Sequence, residues 1–226
     1  MPFVREGGRN EDDCDFDIAL QALKRQGCTL LVTGAVPEYV TAQATQRLLG
    51  DPHRDRKRLL VFTDASLKHV ERSLPPNVRR SDESIEIIES TGDDRSIPPE
   101  SQFIGTSDCE VGRLQDELAH AISHFDTVAD GLDPAELRVC IDSLESILEA
   151  NDRPETIRFL RGTSALVRGV RGIQHVHLPV SDESPVVTEL SPLFDARIEL
   201  RKRDTLVAEQ RWHVPGHDIT TTWSQL

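Results

Sequence analysis

The segment Gly34-Ala-Val-Pro-Glu-Tyr-Val-Thr41 follows an apolar run, Thr29-Leu-Leu-Val-Thr33, and leads into a helical pattern that stops at Gly50. A turn in this position cradles phosphate when it reads G-x-x-x-x-G-K-S/T, because its backbone N–H groups and the Lys ammonium hold the β- and γ-phosphates. Gly34 and Thr41 stand at the first and last positions of that pattern. Tyr39 replaces the second Gly, Val40 replaces the Lys, and Pro37 removes a backbone donor. The partner element of such a site is an Asp at the carboxyl end of a strand, which helps to hold Mg²⁺. Leu137-Arg-Val-Cys-Ile-Asp142 supplies one, and the bland role for Asp142 is to end its strand or cap the next helix. Removing one electrostatic contributor to phosphoryl transfer costs several powers of ten in rate. With the Lys, a Gly and an amide gone together, neither hydrolysis nor nucleotide binding is expected.

Other side chains carry weaker signals. His175 and His177 sit at i and i+2 on a strand pattern and so share a face. A Zn²⁺ site needs further ligands, and none follows at a recognisable spacing, so the pair reads as structural, at a sheet edge, with no metal expected. His120 and His124 are four apart on a helix but lack the Glu of a zincin motif, and read as a solvated face. Ser143 and Ser146 have no G-x-S-x-G elbow around them. Arg158, Arg161, Arg168 and Arg171 form a basic stripe that either pairs with nearby carboxylates or docks an acidic partner. Of the two tryptophans, Trp212 and Trp223, one packing on the last strand leaves the other to mark a contact surface.

The elements that position these residues are legible from periodicity. A helix is expected over 15–26, with Phe16, Ala19, Leu20 and Leu23 on one face and Gly27 as its stop. Strands are expected at 29–33, 58–63, 84–89, 137–141, 174–178 and 196–200, with a last antiparallel strand at 206–214. Between them fall helices at 37–49, around Val111–Phe125, at 144–150, from an Asp152 N-cap onward, and near 185–194. Residues 1–13 read as a flexible acidic tail and 14–226 as a single domain. Strands alternating with helices imply an α/β fold: a three-layer sandwich with a mostly parallel sheet and helices on both faces.

Composition narrows the function classes. The 226 residues carry 22 Arg and 4 Lys against 21 Asp and 18 Glu, for a net charge of −13. Abundant carboxylates with so little Lys suit a salt-loving organism, where screening tolerates the repulsion. Nucleic-acid and anionic-membrane binding want a basic footprint and are not expected, and there is no helix-turn-helix signal for a DNA-associated regulator. Cys14, Cys28, Cys109 and Cys140 lack C-x-x-C spacing; Cys28 and Cys140 read as small core residues. No apolar stretch has the length of a signal core or membrane span, so a cytoplasmic protein is expected.

The ordered runs Thr29–Gly34, Leu59–Asp64, Arg138-Val-Cys-Ile-Asp142-Ser-Leu-Glu-Ser-Ile, His175–Pro179 and Phe194-Asp-Ala-Arg-Ile-Glu-Leu-Arg201 resemble the RecA/KaiC-like branch of P-loop ATPases. More narrowly, they are similar to short haloarchaeal KaiC-like proteins with worn nucleotide sites. The resemblance implies a RecA/KaiC-like fold and assigns relic cofactor-binding positions to Gly34, Thr41, Asp64 and Asp142. Asp64 would stand where those ATPases carry a water-activating Glu, and Asp142 at the Mg²⁺-associated Asp. A basic K-x-R pair near the last strands is reduced to Arg211-Trp-His213, while Arg201-Lys-Arg203 lies on the preceding turn. The expected function is a non-catalytic regulatory or scaffolding module without cofactor, acting through a protein partner or self-association. The alternative is a weak ATPase that binds ATP and Mg²⁺ through a rebuilt phosphate site.

Overall fold

The computed structural model describes residues 11–63, 68–89, 110–204 and 206–226. In chain order these form α1 (Glu11–Gln26), β1 (Cys28–Thr33), α2 (Glu38–Leu48), β2 (Lys57–Phe62), α3 (Lys68–Ser73), β3 (Ile85–Glu89) and α4 (Glu110–Val128). They continue with β4 (Leu137–Ile141), α5 (Leu144–Ala150), α6 (Arg153–Gly169), β5 (Ile173–Leu178), α7 (Pro185–Leu190), β6 (Ala196–Arg201), β7 (Glu209–Val214), β8 (Ile219–Thr220) and β9 (Ser224–Gln225). The sheet runs β3-β2-β4-β5-β1-β6-β7-β8, with β9 also on β7. The first six strands are mutually parallel, and β7 turns back antiparallel to β6. The expected α/β class with a mostly parallel sheet is what forms.

Side-chain alternation along the strands builds a core on each face. Leu31, Leu59, Val61, Val139, Ile141, Val176 and Leu178 pack with α4, α5, α6 and α7 on one side. Leu30, Val32, Ile173, Ile198 and Leu200 pack with α1 and α2 on the other, where Leu60, Phe62 and Cys140 continue the layer toward α3. Burial on both faces is why β1, β2 and β4 read as nearly unbroken apolar runs.

The helix ends follow their local chemistry. Asp152 caps α6 through a reciprocal box with Glu155, satisfying amides that the first turn leaves without partners. Gly27 ends α1 at φ +79, and a Cβ there would press on the Arg171 and Gly172 backbone at 2.9 Å. The first helix starts at Glu11, so part of the stretch read as tail is helical. Residues 64–67, which include Asp64, lie outside the described residues, as do Cys109 and residues 1–10. No helix among the described residues is long and apolar enough to cross a membrane.

Cys28 and Cys140 are buried free thiols, as their strand positions suggested, and Cys14 is exposed. Burial, reinforced by the Asp195 carboxylate, lifts the Cys28 thiol from about 9 to about 12. The unfolded chain releases this proton above about pH 9, whereas the folded chain keeps it until about pH 12. Stability present at neutral pH is therefore lost as pH rises through that window, by about 2 kcal/mol at about pH 10.5. Urea titrations of wild type and Cys28→Ala at pH 7 and 10.5 check this: the stability gap should shift by that amount in favour of the variant. An unchanged gap would refute it.

Candidate functional site

The crevice at the carboxyl ends of β1 and β5 is the topological switch point. The chain leaves β1 for α2 on one face and β5 for α7 on the other, and open α/β sheets bind ligands where such connections diverge. The turn that occupies it is short. Only Ala35, Val36 and Pro37 separate Gly34 from α2, so the helix is already under way where a phosphate loop would still be wrapping.

Three of the turn's backbone donors are committed within the fold. Gly34 N–H donates to the Val180 carbonyl at 2.8 Å, Val36 N–H to the Gly34 carbonyl at 2.9 Å, and Val40 N–H to the Pro37 carbonyl at 2.9 Å. Pro37, at the N-cap of α2, supplies no side-chain cap. At the end of β1, Thr33 Oγ1 donates to Asp182 Oδ1 at 2.6 Å, and Arg197 Nε sits 3.2 Å from the same oxygen. Gly34 has φ +131, and a Cβ would run into the Leu200 carbonyl, so its conformation answers to the close approach of β6. Tyr39 is 55 % exposed, Thr41 half-buried, and Val40 fully buried against Leu30, Val32 and Ala44.

Asp142 ends β4, with β5 between it and β1, about 10 Å across at ordinary strand spacing. Its Oδ1 accepts the Thr63 N–H at 2.8 Å and lies 3.1 Å from Thr63 Oγ1, which itself donates to the Ser143 carbonyl at 2.8 Å. These bonds tie the ends of β2 and β4, the strand-terminating role weighed above. The fold thus puts Gly34, Thr41 and Asp142 at the same carboxyl end of the sheet, with Gly34 and Asp142 held by their own local contacts. A cavity of about 20 Å³ beside Thr63, Ser146 and Asn151 has room for a water but not for a nucleotide. A larger cleft, about 650 Å³, lies among Glu71, Leu74, Val78, Arg79 and Arg80, where the chain leads into the start of β3.

Beyond the switch point, β6 and β7 carry a charged ladder on the α7 side. Cross-strand register pairs Glu199 with Arg211 and Arg201 with Glu209. Arg211 Nε and Nη2 donate to Glu199 Oε2 at 2.9 and 2.5 Å, His213 Nε2 lies 3.1 Å from the same oxygen, and Arg201 Nε donates to Glu209 at 2.8 Å. The hydrogen bonds from Arg201 and Arg203 hold the Glu209 carboxyl below its ordinary range. Trp223 stacks on both guanidinium groups, 3.6 Å from Arg201 and 4.6 Å from Arg211. The cation of the Arg211-Trp-His213 run is therefore held inside its own subunit. Trp212 points to the opposite face and meets Phe16 edge-on at 5.6 Å.

Under α2 lies a buried polar row that sequence spacing did not disclose. The expectation that His175 and His177 flank a sheet edge is corrected: β5 is central, between β4 and β1, and both rings are buried beneath α2. Parallel register sets Cys140 of β4 beside His175, a third candidate ligand that no sequence spacing could announce. Thr45 Oγ1 is 2.9 Å from His177 Nε2. Burial pulls the His177 ring down to about 4, and burial, with the His177 and Arg138 charges, holds His175 well below the ordinary imidazole range. Arg58 and Arg138, also buried, cap the carboxyl end of α2: Arg58 Nε donates to the Leu49 carbonyl at 3.1 Å and Arg138 Nη1 to the Leu48 carbonyl at 3.5 Å.

The remaining candidates take quieter places. His120 and His124 are exposed on α4, and Ser143 precedes α5 without nucleophilic surroundings. In the arginine stripe, Arg168 pairs with Asp195 and Arg171 donates to the Leu132 carbonyl at 3.2 Å. Arg158 and Arg161 are exposed on α6 with no acidic partner among the described residues. Asp182 escaped notice because it belongs to no linear motif, and Glu199 because its run was read only as a strand. No curated protein matches this sequence. A family model does, over residues 27–200, which span every strand from β1 to all but the last residue of β6: the chain belongs to a family of unknown function (DUF7504).

Proposed function

We propose that this chain is a non-catalytic regulatory or scaffolding module on a RecA/KaiC-like fold, working in the cytoplasm through protein–protein contacts. One observation carries the reading. At the switch point the Gly34 amide is taken by Val180, Val40 is turned into the core, and the Thr33 hydroxyl is taken by the Asp182 carboxylate, itself paired with Arg197. A polyphosphate placed there would lack the loop lysine and find the Gly34, Val36 and Val40 amides already taken. The strand order supports the same fold assignment, since β1 is flanked by β5 and β6 with Asp142 two strands away at the same carboxyl end. Arg158 and Arg161 on α6, exposed and without an acidic partner among the described residues, offer the contact surface, complementary to an acidic partner or to the acid-rich surface of a second copy.

The experiment has two arms. Thermal unfolding in molar KCl should move by less than about 1 °C with millimolar Mg-ATP, because a ligand stabilises only by its binding to the folded state. A rise of several degrees that vanishes in Asp142→Ala would overturn the reading. Charge reversal at Arg158 and Arg161 should abolish self-association or partner binding, measured by sedimentation and by pull-down from the native host, with the melting temperature unchanged. Association that survives the reversal would place the contact elsewhere and refute this surface.

A further inference from the structure

Cys140, His175 and His177 present one sulfur and two imidazoles, all within 4.8 Å of one another, beneath α2 in the core. His175 is fully buried, and neither ring nitrogen has a hydrogen-bond partner. A neutral imidazole has one donor and one acceptor, and a buried polar group left unmade costs about 1–3 kcal/mol. Other buried polar side chains around it engage at least one atom: Gln174 donates to Thr163, Arg138 to Leu48, and His177 meets Thr45. His175 alone among them is left over, beside a thiol and a second imidazole.

We propose that these three side chains hold a single monovalent, thiophilic metal ion, Cu(I). Donor chemistry sets the class, since thiolate selects Cu(I) and Zn²⁺, and imidazole accepts either. Charge and coordination number then separate the two. Cys140 is the only ligand that becomes anionic, so Cu(I) gives a neutral centre, whereas Zn²⁺ would leave a net positive charge in the core next to the Arg138 guanidinium. Zn²⁺ also wants four ligands, whereas among the described residues no further His, Cys or carboxylate joins this cluster, and the Thr45 hydroxyl is engaged by His177 and Cys140. On binding, the Cys140 S–H bond breaks, the sulfur–copper bond forms and one proton leaves to solvent; copper enters already reduced, so no electron is transferred. This inference does not depend on the switch-point reading.

The test uses the full chain in a Cys14→Ser/Cys109→Ser background, which removes the exposed thiol and the one outside the described residues. The protein is refolded anaerobically with Cu(I) under ascorbate, and in parallel with Zn²⁺, then titrated against a chromophoric chelator. One Cu(I) per chain is expected, with affinity reduced at least about 100-fold in Cys140→Ser and His175→Gln, and about 10–100-fold in Thr45→Val through loss of the hydroxyl that orients His177. X-ray absorption of the copper-loaded parent needs no further variant and should give one sulfur and two nitrogen neighbours. Absence of copper after refolding, stoichiometric Zn²⁺ with weaker Cu(I), or a sulfur-only shell would each overturn the proposal.

Discussion

Lysine at position 40, the residue a working phosphate loop would need, is expected to destabilise this fold rather than equip it. Val40 is 0 % exposed and packs among Leu30, Val32 and Ala44. A fully buried lysine has its pKa pulled down by about 3–5 units, and holding it neutral at pH 7 against an unfolded value near 10 costs about 4–5 kcal/mol. The sign is diagnostic. Because the depressed pKa means the folded state binds fewer protons, the penalty should shrink as pH rises from 7 toward 10. Val40→Met, uncharged and nearly as long, isolates the packing component at about 1–3 kcal/mol with no such pH trend. Urea unfolding of both variants at pH 7 and 9.5 measures the difference. The double variant Tyr39→Gly/Val40→Lys should likewise gain no affinity for Mg-ATP. A Val40→Lys protein within about 1 kcal/mol of wild type, binding ATP, would mean that the side chain escapes to the crevice and that only the loop sequence is damaged.

Gly34→Ala carries the second large effect. The backbone at φ +131 lies where L side chains are rare, a strain of about 1–3 kcal/mol, and the added Cβ also meets the Leu200 carbonyl of β6. Together these should exceed about 3 kcal/mol and loosen the β1–β6 pairing. Gly131→Ala is the matched control: φ is +100, but nothing lies within 4 Å of the new Cβ, so only the conformational part is felt. Denaturation midpoints of the two variants, with amide exchange along β6, separate strain from collision. Equal losses at both positions would show that the approach of Leu200 has no role. Gly34 is therefore explained by the neighbouring strand without appeal to a phosphate.

Much of the architecture was legible because local chemistry and burial write directly into the chain. Strands covered on both faces must be apolar throughout, so β1, β2 and β4 stood out, and Asp152 announced the start of α6. The edges were harder. β8 and β9 are two residues each, too short to show a period, and they follow β7 only because its outer edge is there to be paired. Likewise, the first turn of α1 looked like tail because its acidic residues have no apolar face to reveal them.

By itself the sequence determined that a phosphate-gripping lysine is missing, that the fold alternates strands with helices, and that carboxylates dominate the surface. Tertiary structure alone decided that Val40 faces inward, that Asp182 meets Thr33 at the end of β1, and that Cys140 stands beside His175. The physical reason is that covalent order fixes which groups exist and which face of an element they share. Which strand becomes whose neighbour is set by crossovers between segments far apart in the chain, and it is those neighbours that turn isolated residues into a site.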